Sequence, residues 1–213
     1  MAREDAERWV AQVFGSANPD DLVRAYDAWA DRYDEDVQSL GLRGPEIVAA
    51  LIARYVHDRA APILDAGAGT GRTGELLAIL GYSHLVALDL SEGMLAQAQQ
   101  RGIYRELHRG LLGESLPFPT DRFAAVVAAG VFTKGHAPPD SFDELLRVTR
   151  RGGFVIFTLS PQAYEGGAFR DKFDACQAEG RWRLVEATRP FRGLPASEAY
   201  RQHHAIVLVF EVT

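Results

Sequence analysis

Cysteine occurs once in the 213 residues, at Cys176. That excludes an internal disulfide and a cysteine-rich metal site, and it leads us to expect a reducing, cytoplasmic setting. Lysine is almost as scarce. Lys134 and Lys172 stand alone among cations that are otherwise arginine, and the net charge is −6. An acidic chain argues against general capture of DNA or RNA, which rests on neutralising phosphates. No apolar run approaches the ~20 residues of a membrane helix. The leading MAREDAERWV has no apolar h-region and does not read as a signal peptide. No HExxH motif or carboxylate cluster calls for a metal. Repeats, low-complexity tracts and interdomain linkers are also missing. What remains is an ordinary globular composition, with enough apolar residues to build a sizeable core in one folded unit.

The stretch that organises the chain is ILDAGAGTGRTG, Ile63 to Gly74. A short apolar run reads as a buried strand ending at Asp65, and Leu76, Leu77 and Leu80 then share one helical face before Gly81. Between them lie Gly67, Gly69 and Gly71, which suit a turn that lets a ligand rest on bare backbone. Gly69, Gly71 and Gly74 also satisfy the dinucleotide fingerprint GxGxxG, so NAD or FAD is one reading. Two acids favour another. Asp65 sits before the first glycine, where it would repel a pyrophosphate but welcome an ammonium group. Asp89 closes the next apolar run, where it can accept hydrogen bonds from both hydroxyls of a ribose. S-adenosylmethionine (SAM) has a ribose and an amino-acid end but no phosphate, and it fits both.

Four segments in order then carry a family resemblance: DAGAGTG at Asp65–Gly71, LDLSEGML at Leu88–Leu95, LPFPTDRF at Leu116–Phe123 and RVTRRGGFVIFT at Arg147–Thr158. With these the chain resembles the class I SAM-dependent methyltransferases over roughly its middle half. Four further segments, YDAWADRYDEDV, GIYREL at Gly102–Leu107, FTKGHAP and FDELLRVTRRGG, are similar to the subgroup around the Williams–Beuren-region methyltransferase-like protein. The resemblance implies a doubly wound α/β, Rossmann-like sheet of about seven mostly parallel strands with the last strand antiparallel. It implies SAM as cofactor and S-adenosylhomocysteine as product. It carries a cofactor site onto Asp65, Gly67, Ala68, Gly69 and Gly71 of the turn, and onto Asp89, Leu90 and Met94 after the second strand. Leu112, Gly113 and Ala129 complete that site. Leu112 departs from the family's usual aspartate beside adenine; the Gly113 amide can still reach the ring, while Glu114 lies two positions out of register.

The flanks follow from pattern. Residues 4–14 read as a helix, and Asn18-Pro19-Asp20 as turn and cap. Across Ala25–Val37, Tyr26, Trp29 and Tyr33 recur at helical spacing. Their aromatic face either packs on the core or forms a lid over the cofactor, as the resemblance implies, with Tyr26 and Tyr33 reaching its methionine end. Pro45 opens a helix that packs on the sheet. Ser91 caps the next helix. Phe123–Val131 is an unbroken apolar run, the mark of a strand buried on both faces. Asp140 is expected to cap a helix that Gly152-Gly153 stop, and a fifth strand covers Phe154–Leu159. Ala163–Glu179 reads as a helix with an irregular start, and Trp182–Pro190 and His204–Val212 as strands. The layout is a lid over 1–58 and a SAM-binding core over 59–213.

Ligands in such a sheet bind beyond the carboxyl ends of the strands, so the loop Phe132-Thr-Lys-Gly-His136 should border the reacting methyl. His136 is the candidate general base, having an ordinary pKa near ~6.5. Phe132, Lys134, His136, Tyr164 and Arg192, with Arg189, are candidate acceptor contacts. The expected function is methyl transfer to a small molecule by in-line displacement, with no membrane or nucleic-acid partner. An NAD(P)-dependent oxidoreductase and a non-catalytic SAM-binding regulator are the alternatives, and a protein or RNA methyltransferase is a further one.

Overall fold

A computed structural model of the chain describes residues 2–133 and 135–213. Four helices come first: α1 (Ala2–Phe14), α2 (Pro19–Trp29), α3 (Tyr33–Ser39) and α4 (Gly44–Tyr55). Then strands and helices alternate as β1 (Ile63–Ala66), α5 (Arg72–Ile79), β2 (Leu85–Asp89), α6 (Glu92–Gln100), β3 (Tyr104–Arg109), β4 (Phe123–Phe132), α7 (Ser141–Val148) and β5 (Thr149–Leu159). The chain closes with α8 (Pro161–Glu165), α9 (Ala168–Ala178), β6 (Trp182–Ala187), β7 (Phe191–Arg192) and β8 (His204–Val212).

The sheet runs in the order β3-β2-β1-β4-β5-β8-β6. The first five strands are parallel to their neighbours, and β8 runs antiparallel between β5 and β6. The order therefore reverses between β1 and β4, the place where doubly wound sheets bind ligands. An antiparallel strand inserted beside β5 departs from the six-strand dinucleotide order 3-2-1-4-5-6. The seven expected strands are present, and β7 adds a two-residue pairing with β8.

Alternate side chains feed two faces. Ile63, Leu85, Val127 and Ile156 meet Val48 and Ile52 of α4 and Leu77 of α5. Leu64, Val126 and Phe157 meet Phe142 of α7 and Phe173 of α9, where Trp182 stacks on Phe210 at 3.9 Å. Cys176 is buried in this second face. The helix α4, counted above within the N-terminal 58 residues, is thus a layer of the sheet. Only α1 to α3 form a separate cluster, through Val10, Val13, Leu22, Trp29 and Leu40.

Several boundaries differ from expectation. The aromatic helix over 25–37 is two helices, broken after Trp29. The indole N–H of Trp29 donates to the buried Asp36 (2.8 Å), and that bond holds the bend. Asp140 makes no cap hydrogen bond; its carboxylate pairs with Lys172 at 3.2 Å instead. The helix α7 ends at Val148, and Gly152-Gly153 lie inside β5, where a Cβ on Gly153 would stand 2.7 Å from the Ala124 carbonyl. The segment 163–179 splits into α8 and α9, and β6 stops at Ala187. Asn18 and Ser91 cap α2 and α6, accepting from Asp21 N–H (2.9 Å) and Met94 N–H (3.0 Å).

Gly74, the third glycine of the formal dinucleotide fingerprint, has a different use here. Tyr104 crosses α5 at this point, and a Cβ on Gly74 would lie 2.1 Å from its hydroxyl and 2.4 Å from its ring carbon Cζ. The tyrosine passes there to donate to Asp65 (2.6 Å). Gly74→Ala is expected to destabilise by about 1–3 kcal/mol through overpacking, read as a fall of several degrees in melting temperature. Adding Tyr104→Phe should restore only part of the loss, because the ring itself still obstructs.

Candidate active site

The glycine turn leaves β1 and closes on the neighbouring strand. The N–H groups of Gly67 and Ala68 donate to the Leu88 carbonyl, at 2.7 and 3.0 Å. Gly67 has φ of +76°, and a Cβ there would stand 2.4 Å from a Val131 methyl, so the close approach of β4 needs glycine. The Gly69 N–H donates to Asp89 (2.7 Å), whose other oxygen accepts from Ser91 N–H (2.9 Å). Asp89 is 7% exposed. Burial pushes its carboxyl above the usual range, against the pull of the Ser91 and Gly69 amides.

Above this turn a cavity of about 250 Å³ opens over the carboxyl ends of the strands. Gly67, Gly69, Asp89, Leu90 and Met94 line one side, and Leu112, Gly113 and Glu114 another. Ala129 and His136 reach it from β4 and the following loop, and Tyr26 and Tyr33 cover it from the helical segment. A second cavity, of about 340 Å³, lies beside it. The two share Tyr26, Tyr33, Ala129 and Gly130 as a common wall. That wall exists because β4 loses register with β5 between Ala128 and Phe132, and the Gly130 N–H turns to donate to the Thr158 hydroxyl (2.6 Å).

The aromatic segment is fastened down by three aspartates at helical spacing. Asp27 accepts from the Ser91 hydroxyl (2.5 Å) and the Gly93 N–H (2.9 Å). Asp31 accepts from the Gln97 amide (2.8 Å). Beyond the bend, Asp34 accepts from the Thr70 hydroxyl (2.6 Å) and pairs with Arg101, which also donates to the Thr70 carbonyl (2.6 Å). Tyr26, Trp29 and Tyr33 converge with ring separations of 4.7 to 6.4 Å. Burial raises the Tyr26 phenol well above its ordinary pKa and pushes Tyr33 up to about 12, so both are neutral donors at physiological pH.

His136 does not stand alone. Its Nε2 lies 2.9 Å from the Tyr26 hydroxyl and its Nδ1 2.9 Å from the Thr133 hydroxyl. A neutral imidazole donates at one nitrogen and accepts at the other, so the ring is aimed by both. Tyr26 and Thr133 each line the second cavity, which puts His136 one hydroxyl away from it.

Other expected residues are placed differently. Asp65 lies behind the turn at 1% exposure, off the cavity wall. Burial pushes it up to about 7, while the Tyr104 hydroxyl lowers it and Asp89 adds repulsion. Among the described residues its second oxygen, Oδ1, has no hydrogen-bond partner. Ala68 and Gly71 build the turn without lining the cavity. Phe132 lines the second cavity, whereas Tyr164 packs against the core beneath Arg170 and Arg192 is exposed on β7, both outside the two cavities. Lys134 lies outside the described residues. Gly130, Thr133 and the aspartate fastenings were not anticipated. The i, i+4, i+7 spacing of Asp27, Asp31 and Asp34 was the available signal for the last of these.

A sheet that reverses order beside a glycine turn, with a buried acid closing the adjacent strand, defines a nucleoside-binding α/β protein. The family model described as a methyltransferase domain matches residues 64–157. Human methyltransferase-like protein 27 is 35% identical over 163 residues, 74% of this chain and 66% of its own length. Two solved structures share the fold. A TehB-like SAM-dependent methyltransferase from Corynebacterium glutamicum has a TM-score of 0.62 at 22% identity, covering 87% of this chain and 99% of that one. A putative methyltransferase in complex with the Trm112 methyltransferase activator of Haloferax volcanii has a TM-score of 0.65 at 18% identity, covering 88% and 97%. The chain belongs to the class I SAM-dependent methyltransferases, whose cofactor is SAM. It spans about half to two thirds of the length of the curated relatives it matches. Among the described residues no helix is long and apolar enough to cross a membrane.

Two outcomes follow from this geometry. Because the folded pKa of Asp65 lies above the ordinary 3.8, its stabilising contribution is complete below about pH 4 and is lost as pH rises through about 7. Relative to Asp65→Asn, the wild-type protein should therefore lose up to about 4 kcal/mol of unfolding free energy between about pH 4 and pH 8, measured by denaturant melts. Asp27→Ala should speed amide exchange across residues 19–39 while β1 and β4 stay protected. Unchanged exchange there would show that the aromatic packing alone holds the segment.

Proposed function

We propose that the protein transfers the methyl group of SAM to a small-molecule acceptor. The observation that carries this reading is the shared wall. A cleft with a ribose-type acid at one end meets a second cavity at Tyr26, Tyr33, Ala129 and Gly130. The adenosine would lie along Asp89, Leu90 and Met94, with Leu112 against the ring and the Gly113 amide at its edge. Glu114 also lines this end and is able to accept from the adenine amino group. The methionine end would pass Gly67 and Gly69 toward Tyr33. A sulfonium methyl at the common wall is surrounded by electron-rich ring faces, which attract a cation.

Methyl transfer forms a bond from the acceptor to the methyl carbon as the carbon–sulfur bond breaks, releasing S-adenosylhomocysteine. The protein accelerates it mainly by holding the nucleophile in line, about 3–3.5 Å from the carbon. Where the acceptor must lose a proton, His136 can receive it through the Tyr26 or Thr133 hydroxyl. The small-molecule preference is supported by the second cavity, which the lid helices roof, and by the acidic chain. An activator or partner subunit of the kind named for the Haloferax structure is the second reading to test.

Asp89→Asn keeps the shape but replaces an acceptor oxygen by a donor. It is expected to weaken SAM and S-adenosylhomocysteine binding by roughly 2–3 kcal/mol, measured by calorimetry. In thermal unfolding, wild-type protein at 100-fold ligand excess should gain about 2.7 kcal/mol with either compound and nothing with NAD or NADP. A gain only with the nicotinamide cofactors would overturn the assignment.

A further inference from the structure

The second cavity holds chemical information about its occupant. Its wall is apolar on most sides: Val10, Val13 and Phe14 from α1, Trp29 from α2, Phe132 from β4 and Leu194 from the loop after β7. Among the described residues, no aspartate, glutamate, lysine or arginine side chain lines it. Among the described residues an ionised ligand would lose hydration there without meeting a counter-charge.

Most of the polar groups on the wall are already occupied. The Tyr26 and Thr133 hydroxyls are engaged with His136. Thr158 accepts from the Gly130 N–H, and Ser160 caps α8 by accepting from the Ala163 N–H at 3.2 Å. Tyr33, Gln162 and His203 form no side-chain hydrogen bond among the described residues; Tyr33 belongs to the wall shared with the first cavity, and Gln162 and His203 line the second alone. His203 is half-buried, and its ring lies 5.7 Å from that of Phe14. Burial and the adjacent His204 lower its pKa, so the ring is neutral and offers one donor and one acceptor. Its donor and acceptor are open to pairing with a ligand group. The volume, about 340 Å³, exceeds the ~150 Å³ apolar cavity that accommodates benzene.

We propose that this cavity takes an uncharged, largely apolar acceptor of one or two fused rings, and that His203 holds its single O–H or N–H group. The assignment rests on the neighbouring cleft being the SAM site. His203 here is a specificity-determining residue: it selects the acceptor's polar group and turns that end of the molecule relative to the wall where the methyl lies.

The test uses the full chain saturated with S-adenosylhomocysteine, with 1-naphthol, 1-naphthoate and 1-naphthylmethylammonium as probes of one ring system and three charges. Calorimetry at about pH 7.5 should give 1-naphthol an affinity at least about ten-fold above either ion. His203→Phe, which keeps an aromatic ring of similar shape, should lower 1-naphthol affinity about ten-fold, with S-adenosylhomocysteine affinity of the same variant reporting that the fold stands. An ion bound as tightly as 1-naphthol overturns the inference. So does 1-naphthol affinity unmoved by His203→Phe, or no 1-naphthol binding at about 1 mM with S-adenosylhomocysteine in place. The probe comparison needs only wild-type protein, so it decides even if the variant fails to fold. Failure of S-adenosylhomocysteine itself to bind would instead sink the reading of the first cleft.

Discussion

One hydrogen bond joins everything that faces the cavities: the Gly69 N–H to the Asp89 carboxylate, 2.7 Å long. It ties the turn after β1 to the end of β2, so that the two segments form a single rim. A charge-assisted bond to a buried carboxylate is among the stronger ones a protein makes, and here the acceptor is itself held by Ser91 N–H. The same Ser91 caps α6 and donates its hydroxyl to Asp27 of the lid. A short chain of contacts thus runs from β1 through β2 and α6 to α2. An acid at the end of a strand thus shapes the turn while lining the cavity.

The helical segment over the cavities is held by charge and shaped by aromatics. Its carboxylates look outward to α6, Thr70 and Arg101, and its rings look inward to the cavities. This division lets one amphipathic segment close two pockets without a continuous apolar interface to the core. It also gives the bend at 30–32 a purpose. Asp27 reaches α6 from the first helix, Asp31 reaches it from the bend itself, and Asp34 reaches the glycine turn from the next helix. Local opening of such a segment costs less than unfolding the sheet, which suits a cover that must admit and release ligands.

Much of this was readable in the chain. The glycine turn, the acid closing β2, the apolar β4 and the final strand are local patterns, and each appears where the pattern puts it; the antiparallel direction of that final strand was implied by the family resemblance. Tyr26 and Tyr33 were legible as a face because helical spacing survives the bend. Asp65 illustrates the limit. As a sequence it is an acid beside a ligand turn; in space Tyr104, thirty-nine residues away, claims it and Gly74 makes room for the claim. Tyr164 and Arg192 were expected as acceptor contacts, yet Tyr164 packs against the core and Arg192 is exposed on β7.

The sequence by itself determined the alternation of strand, turn and helix, the family, and the chemical types at the turn, because these depend on neighbours within a few residues. Only the tertiary structure decided which cavity each side chain enters. His136 is aimed by Tyr26 from 110 residues away. His203 comes to face Phe14, and Thr158 steadies the bulge at Gly130. Such pairings are set by the packing of whole elements against the sheet, where a rotation of one helical position redirects a side chain. No local pattern records that rotation, and the largely apolar character of the second cavity among the described residues is its product.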